Sequence, residues 1–276
     1  MTGTLCATLT ACALAVAPMP QALGADASAW SQDSKSAMRL IAGTNKPGET
    51  RMRTGIEIKL QPGWHTYWRY PGDSGLPPRF DFSGSVNLKN ARPFYPAPRL
   101  FSDESGHSIG YSDSVIFPVQ VTPQDAGKPV TLRLKIDYAV CEKLCIPAEG
   151  RAELTIAPGS SAQDAALTAA ETRVPKPASA SEAGLSLRRV NNAAKPLIAV
   201  DLKTASDKPI AIFAEGPTPE WALPIPQPAQ GAPAGHRHFD FELDGLPPGV
   251  GPKGPFDLTF TLVDGDRAIE VTTRLD

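Results

Sequence analysis

Residues 138–149 read Tyr-Ala-Val-Cys-Glu-Lys-Leu-Cys-Ile-Pro-Ala-Glu, and they contain Cys141 and Cys145. Apolar and polar residues alternate on both sides of this pair, over 130–138 and again over 151–156. Alternation with period two is typical of a β-strand with one buried face. The sequence therefore predicts two strands, with Cys141 at the end of the first and Cys145 in the connection to the second.

The spacing of the two cysteines limits how they can pair. If the chain from Cys141 to Cys145 were extended, their Cα atoms would be about 13 Å apart, whereas a disulfide needs about 4.4 to 6.8 Å. A bridge therefore requires a turn, and it would close so short a loop that it adds little stability. A local dithiol is also suited to exchange, because its second thiol resolves a mixed disulfide formed by the first. Three interpretations stay open: a structural disulfide, a redox pair and a metal site.

The metal interpretation depends on further ligands. A zinc site needs four protein ligands, or three and a water, but the four histidines are scattered along the sequence: His65, His107, His236 and His238. His236 and His238 would share one side of a strand as half of a metal site, although the exposed start of a strand is the simpler interpretation. Cu(I) can be held by two soft thiolates. A non-catalytic Cu(I)-binding or copper-tolerance module is therefore an alternative function.

The first 25 residues are predicted to be an export signal. Leu5–Ala17 is apolar and rich in small residues, and Ala22–Ala25 offers a cleavage site. No Lys or Arg precedes Lys35, which a start codon further upstream would explain. Alternatively, Leu9–Cys12 resembles a lipoprotein processing box, with Cys12 as a lipid anchor. Either route leads to an oxidising compartment. No later stretch reaches the ~18 apolar residues of a membrane helix.

Strand patterns separated by turns fill two parts of the chain, residues 30–158 and 181–276. Short strands at this spacing indicate a β-sandwich in each part, and Asp264-Gly265 is expected to turn the last hairpin. Between them, 159–180 is predicted to contain one short helix over Ala162–Arg173, begun by a capping box of Ser161 and Asp164, and then a linker. The predicted fold is all-β, with two tandem sandwiches. The net charge of −2 shows no basic excess, so nucleic acid is not expected as a partner.

Two stretches of the first part are unusually rich in functional side chains. The first, Gly63–Pro78, would place its residues on two opposite faces of a strand: Trp64, Thr66 and Trp68 on one, and His65, Tyr67 and Arg69 on the other. The plainest interpretation buries the tryptophans and leaves the other face solvated. The second, Phe101–Tyr111, is polar, contains glycine and is long for a hairpin loop. It is either a mobile functional loop or an ordinary exposed connection.

These features, taken in order, resemble the N-terminal periplasmic domain of the thiol:disulfide interchange protein DsbD. The resemblance rests on Trp64–Pro78, Tyr95–Pro98 and Tyr138–Pro147. It covers roughly residues 35–158, and it is closer to the ScsB (suppressor of copper sensitivity) type. It implies an immunoglobulin-like sandwich whose cysteine pair takes reducing equivalents from the membrane system and passes them to periplasmic thiol oxidoreductases.

The resemblance also assigns site residues. Cys141 and Cys145 match the redox cysteines, although they are closer together than in the DsbD pattern. His65 and Tyr67 match a pair of tyrosines that line the site. Stretch 101–111 matches a loop that caps the cysteines until a partner docks. The residues that could form this cap are Phe101, Asp103, Glu104, Ile109 and Tyr111.

The sequence and the resemblance together predict an exported thiol–disulfide oxidoreductase of the protein-disulfide reductase type. No cofactor and no metal are expected. A separate membrane thiol donor would reduce the pair, and Cys145 would form the mixed disulfide with the client. Besides the Cu(I) module, a scaffold with a structural Cys141–Cys145 disulfide remains an alternative.

Overall fold

The computed structural model describes residues 25–73, 75–103, 106–190, 196–205 and 207–276, with Asp103 described by its backbone alone. Apart from Ala25, the predicted export signal lies outside these residues, as does the predicted lipid anchor at Cys12. Neither helix in the described part of the chain is long and apolar enough to span a membrane.

The first sandwich is formed by two packed sheets. Its strands are β1 (Ser31–Gln32), β2 (Ser36–Ala42), β3 (Met52–Leu60), β4 (His65–Gly72), β5 (Arg79–Asp81), β6 (Leu88–Pro93), β7 (Arg99–Asp103), β8 (Gly106–Ser112), β9 (Ser114–Pro123), β10 (Val130–Cys141) and β11 (Cys145–Ile156). One sheet has the order β1-β2-β3-β9-β6, and the other has the order β11-β10-β4-β8-β7, with β5 paired to β10.

The core of this sandwich follows the alternation seen in the sequence. On β10, Leu132, Leu134 and Ile136 are buried while Arg133 and Lys135 are exposed. Trp64, just before β4, and the inward residues Thr66 and Trp68 of β4 are buried as well, as the alternation predicts. Every second side chain along these strands is buried between the two sheets, and the burial of the apolar ones stabilises the sandwich.

The second sandwich also has two sheets. The remaining elements are α1 (Asp164–Thr172), β12 (Lys176–Pro177), α2 (Ala180–Ala183), β13 (Leu185–Val190), β14 (Leu197–Lys203), β15 (Ile210–Glu215), β16 (Gln227–Ala229), β17 (His236–Glu242), β18 (Phe256–Asp264) and β19 (Arg267–Leu275). The sheet orders are β12-β19-β18-β15 and β13-β14-β17-β16. Asp264 pairs with Arg267, so the turn is Gly265-Asp266, one residue later than predicted.

The helix predicted between the sandwiches is present as α1, but its predicted capping box is wrong. The side chain of Ser161 does not cap the helix. Its hydroxyl accepts a hydrogen bond from Gln163 N–H at 2.9 Å and donates to the Ala42 carbonyl at 2.6 Å. Asp164 likewise points away from the helix and accepts from Thr44 N–H at 2.9 Å. Both side chains therefore hydrogen-bond to the backbone of the first sandwich and hold α1 against it, instead of forming a capping box with each other.

A capping box does occur at α2, which begins at the end of the segment predicted to contain the linker. The Ser179 hydroxyl accepts a hydrogen bond from Glu182 N–H, and the Glu182 side chain accepts one from Ser179 N–H. This reciprocal pairing satisfies two backbone donors at the helix start. The connection thus contains two short helices rather than one.

Asp164 makes the docking of α1 dependent on pH. The Thr44 hydrogen bond and the neighbouring Arg53, whose guanidinium lies 2.7 Å away, hold the pKa of Asp164 below its ordinary value. This stabilising contribution is complete above the ordinary pKa of about 3.9 and is lost as the pH falls through the lower folded-state value. We expect Asp164→Asn to lower the urea midpoint at pH 7, by less than about 1 kcal/mol in stability because both side chains of the pair are more than a third exposed, and to have a smaller effect near pH 2.

The measurement is urea unfolding of both proteins at pH 7 and pH 2, with Asp257→Asn, an exposed change on β18, as the control. An equal loss of stability at the two pH values would contradict the assignment.

Strand β4 joins the two sandwiches through a bulge. Tyr67 lies opposite Gly110 of β8, but Gly72 lies opposite Ser108. Residues 68–71 therefore stand against a single residue of β8. A bulge bends a strand and re-aims its side chains, and here these side chains reach the second sandwich.

Three consecutive residues of the bulge contact the second sandwich. The Trp68 ring lies 5.8 Å from the ring of Phe213. The Arg69 guanidinium donates to Glu215 at 2.8 and 2.7 Å, and it also pairs with Glu270. Tyr70 is half-buried at the same contact, and this burial raises the pKa of its hydroxyl.

The proline-rich segment 217–233 completes this contact. It is largely irregular and contains the short strand β16. Leu223 accepts a hydrogen bond from the Tyr70 hydroxyl through its carbonyl. Ile225 is buried against the core of the first sandwich, whereas Trp221 is buried in the core of the second. The segment therefore packs on both sandwiches.

Candidate redox site

The two cysteines close the β10–β11 hairpin. Cys141 is the last residue of β10 and Cys145 the first of β11, and they face each other in register. They form a disulfide with 4.1 Å between Cα atoms, so the chain turns between them as the geometry requires. The turn consists of three exposed residues, 142–144. The last of them, Leu144, is 73% exposed.

The two cysteines differ in access to solvent. Cys141 is 7% exposed and packs against Tyr67 and Ala139, whereas Cys145 is exposed. A nucleophile approaching from solvent therefore meets Cys145 first. This asymmetry could not be predicted from the spacing, because it depends on which strands flank the hairpin.

Strand β4 supplies two aromatic side chains to the site. His65 pairs in register with Cys141, so their side chains lie on the same face of the sheet. Tyr67 follows on the same face, and its hydroxyl donates a hydrogen bond to Cys145 Sγ at 3.0 Å. His65 and Tyr67 are 7% and 1% exposed, so the interpretation that this face of β4 is solvated is wrong.

Phe101 completes an aromatic group on this face. Its ring stacks on His65, with centroids 4.7 Å apart and planes 11° apart. Tyr67 meets the other side of the group edge-on, 5.5 Å from His65. The Ser108 hydroxyl lies 3.3 Å from His65 Nε2. These contacts fix the imidazole in one place beside the disulfide.

The proposed cap is a hairpin of β7 and β8 rather than a loop. Among the candidates whose side chains the structure describes, Phe101 alone lies at the site. Ile109 is fully buried in the core, and Tyr111 is also buried there, with its hydroxyl donating to the Pro96 carbonyl at 2.8 Å. Burial raises the pKa of Tyr111. Both residues face away from the cysteines because they alternate with the outward residues of β8. The Asp103 side chain and Glu104 lie outside the described residues.

The described residues contain no group of three or more His, Cys, Asp or Glu side chains placed to hold a metal ion. His236 and His238 instead share one carboxylate, that of Asp201, at 2.8 and 2.7 Å. Burial alone would raise the pKa of Asp201, but the hydrogen bonds from the two histidines outweigh it and lower this pKa. The half metal site considered from the sequence is thus a histidine–carboxylate cluster.

The geometry of a strand-end disulfide lined by aromatic residues can be compared with known proteins. Residues 37–157 match the family described as thiol:disulfide interchange protein DsbD, N-terminal. This part of the chain is therefore similar to the DsbD N-terminal domain. The DsbD family and the Cys141–Cys145 disulfide together support thiol–disulfide interchange as the general chemistry.

The fold agrees with a known structure over nearly the whole chain. The crystal structure of the N-terminal periplasmic domain of ScsB from Proteus mirabilis superposes with a TM-score of 0.72 at 20% identity, covering 91% of this chain and 98% of that one. This DsbD-like, ScsB-type architecture confirms the predicted all-β fold. A marsupial T cell receptor aligns over 87% of this chain with a TM-score of 0.21 and 9% identity, which is too weak to support an argument. No curated protein matches the chain.

Proposed function

We propose that this protein passes reducing equivalents from a membrane thiol donor to periplasmic thiol oxidoreductases through Cys141 and Cys145. The observation that carries this proposal is the asymmetry of the pair. An exposed Cys145 holds a hydrogen bond from Tyr67, beside a buried Cys141. A disulfide that only stabilised the fold would need neither the exposed sulfur nor the hydroxyl donor.

Reduction would begin at the exposed sulfur. A thiolate of the donor attacks Cys145 Sγ, the bond between the two cysteines breaks, and Cys141 leaves as a thiolate that takes up a proton. The second thiol of the donor then attacks the other donor sulfur, which is bonded to Cys145 in the mixed disulfide. Cys145 is released as a thiol, and the donor becomes a disulfide. The pair has gained two electrons and two protons.

Transfer to the client would follow the same path in reverse. The Cys145 thiolate attacks the client's disulfide, and one client sulfur leaves as a thiolate. Cys141 then attacks Cys145 Sγ, which frees the second client sulfur and restores the disulfide. Tyr67 would stabilise the Cys145 thiolate, because a hydrogen bond to the charged form of a group favours that form.

The surface around the pair suits contact with another protein. Leu144 stands exposed between the two cysteines, at the place that any partner must cover to reach Cys145. Periplasmic location and membrane donor are proposed by analogy with the periplasmic ScsB domain and the DsbD family.

The reduction potential of the pair tests this function. We expect a value between about −270 and −120 mV, because exchange-active disulfides lie in this range while structural ones lie below about −300 mV. The measurement is equilibration of the purified protein against glutathione and dithiothreitol buffers, with the redox state read by thiol alkylation. A potential below about −300 mV would contradict the proposal and favour a structural disulfide.

A further inference from the structure

The segment that follows β4 returns over the site and covers Tyr67. A Cβ atom placed on Gly75 would lie 2.3 to 2.7 Å from three ring carbons of Tyr67. The backbone of Gly75 therefore rests directly on the ring. Its φ of +132° is also a conformation that other residues rarely adopt. Only glycine leaves room for the ring at this position.

Asp73, two residues before Gly75, is held to β8. Its N–H donates to the His107 carbonyl at 2.9 Å, and its carboxylate Oδ2 accepts from His107 N–H at 2.9 Å. The two hydrogen bonds are reciprocal, so they hold Asp73 to the start of β8 at two points. The same strand carries Ser108, which contacts His65.

We propose that Asp73 is a positioning residue, which holds Gly75 on the Tyr67 ring and so keeps the Tyr67 hydroxyl on Cys145 Sγ. The ring packs against Ala139 and Cys141 of β10, and the backbone of Gly75 also lies against it. If Gly75 moves away, the ring gains room to rotate, and the 3.0 Å hydrogen bond to Cys145 weakens. This inference rests on the proposed function, because it concerns the reactivity of Cys145.

The test follows alkylation of Cys145 in the reduced protein. Trypsin cleaves after Lys135, Lys143 and Arg151, so peptide 136–143 contains Cys141 and peptide 144–151 contains Cys145. Mass spectrometry can therefore measure the iodoacetamide rate at each cysteine separately. The quantity compared is the midpoint pH of the rate profile for Cys145. The titratable groups near it are His65 and Tyr67 on β4 and Glu142 and Lys143 in the turn.

We expect Tyr67→Phe to raise this midpoint by about one to two pH units, because the hydrogen bond favours the charged thiolate over the neutral thiol. Asp73→Ala should raise it in the same direction. Asp73→Asn should restore the wild-type value, since its amide oxygen still accepts from His107 N–H. Adding Asp73→Ala to Tyr67→Phe should give no further shift, since both act through one hydroxyl.

The matched control is Asp81→Ala, which removes another exposed carboxylate that accepts a main-chain N–H, that of Ser83 at 2.8 Å. Its midpoint should not change. If Tyr67→Phe shifts the midpoint and Asp73→Ala does not, the role of Asp73 is wrong. An Asp73→Asn shift as large as that of Asp73→Ala would also overturn it. Neither result contradicts the proposed function. That proposal is contradicted by a different measurement, a reduction potential in the range of structural disulfides.

Discussion

Replacing Cys145 with serine is expected to abolish disulfide transfer to protein clients, by at least about a thousandfold, as removal of a nucleophile usually does. The serine hydroxyl is not ionised near neutral pH, and it cannot form a mixed disulfide. Cys141→Ser should behave differently, because Cys145 can still attack a client while no second thiol resolves the product. The Cys141→Ser protein should therefore accumulate a mixed disulfide.

The assay mixes the reduced variants with insulin and follows insulin reduction and the covalent adduct on non-reducing gels. Wild-type protein, which should turn over without an adduct, is the reference. If Cys145→Ser formed the adduct and Cys141→Ser did not, the roles of the two cysteines would be the reverse of those proposed.

The second large effect is expected at Arg69, where the two sandwiches meet. Arg69 lies between Glu215 and Glu270, and these carboxylates hold its pKa above its ordinary value although burial alone would lower it. Arg69→Met would leave both carboxylates in a half-buried contact without a cation. Breaking a buried ion pair by removing one partner costs about 3 to 5 kcal/mol. Because the three side chains are 17% to 31% exposed, we expect a loss of about 2 to 3 kcal/mol in stability.

Urea unfolding monitored by tryptophan fluorescence would measure this loss. The matched control is Arg133→Met, which breaks the Arg133–Glu153 pair on the surface, where the side chains are 50% and 58% exposed. That change should cost less than about 1 kcal/mol. If the two variants unfolded at the same urea concentration, the Arg69 cluster would not stabilise the contact between the sandwiches.

Much of the fold could be predicted from the sequence because it depends on local pattern. Alternation over Val130–Tyr138 predicts a strand with one buried face, and that strand is β10. The same alternation along Trp64–Arg69 predicts which side chains enter the core. The position of the cysteine pair at the end of a strand follows from the alternation over 130–138 and over 151–156, on either side of Cys141 and Cys145.

What could not be predicted depends on contacts between distant segments. Nothing local distinguishes Phe101, which stacks on His65, from Ile109 and Tyr111, which face the core, because the register of β7 on β8 decides this. The burial of His65 and Tyr67 likewise requires segments that pack on an otherwise open sheet face. The polar groups of those side chains predicted that the face is exposed to solvent, but other segments of the chain pack on it and bury it.

Because of the bulge in β4, the domain defined by the family match differs from the domain defined by packing. The family match ends at residue 157, but Trp68 and Tyr70 are covered by side chains and backbone from residues 213–225. A fragment cut just beyond residue 157 would keep every matched residue and still present an uncovered tryptophan and an unpaired arginine to solvent. Exposed apolar surface of this kind promotes aggregation. We therefore expect the unit that is stable alone in solution to be longer than the family match, because residues 68–70 need the second sandwich to cover them.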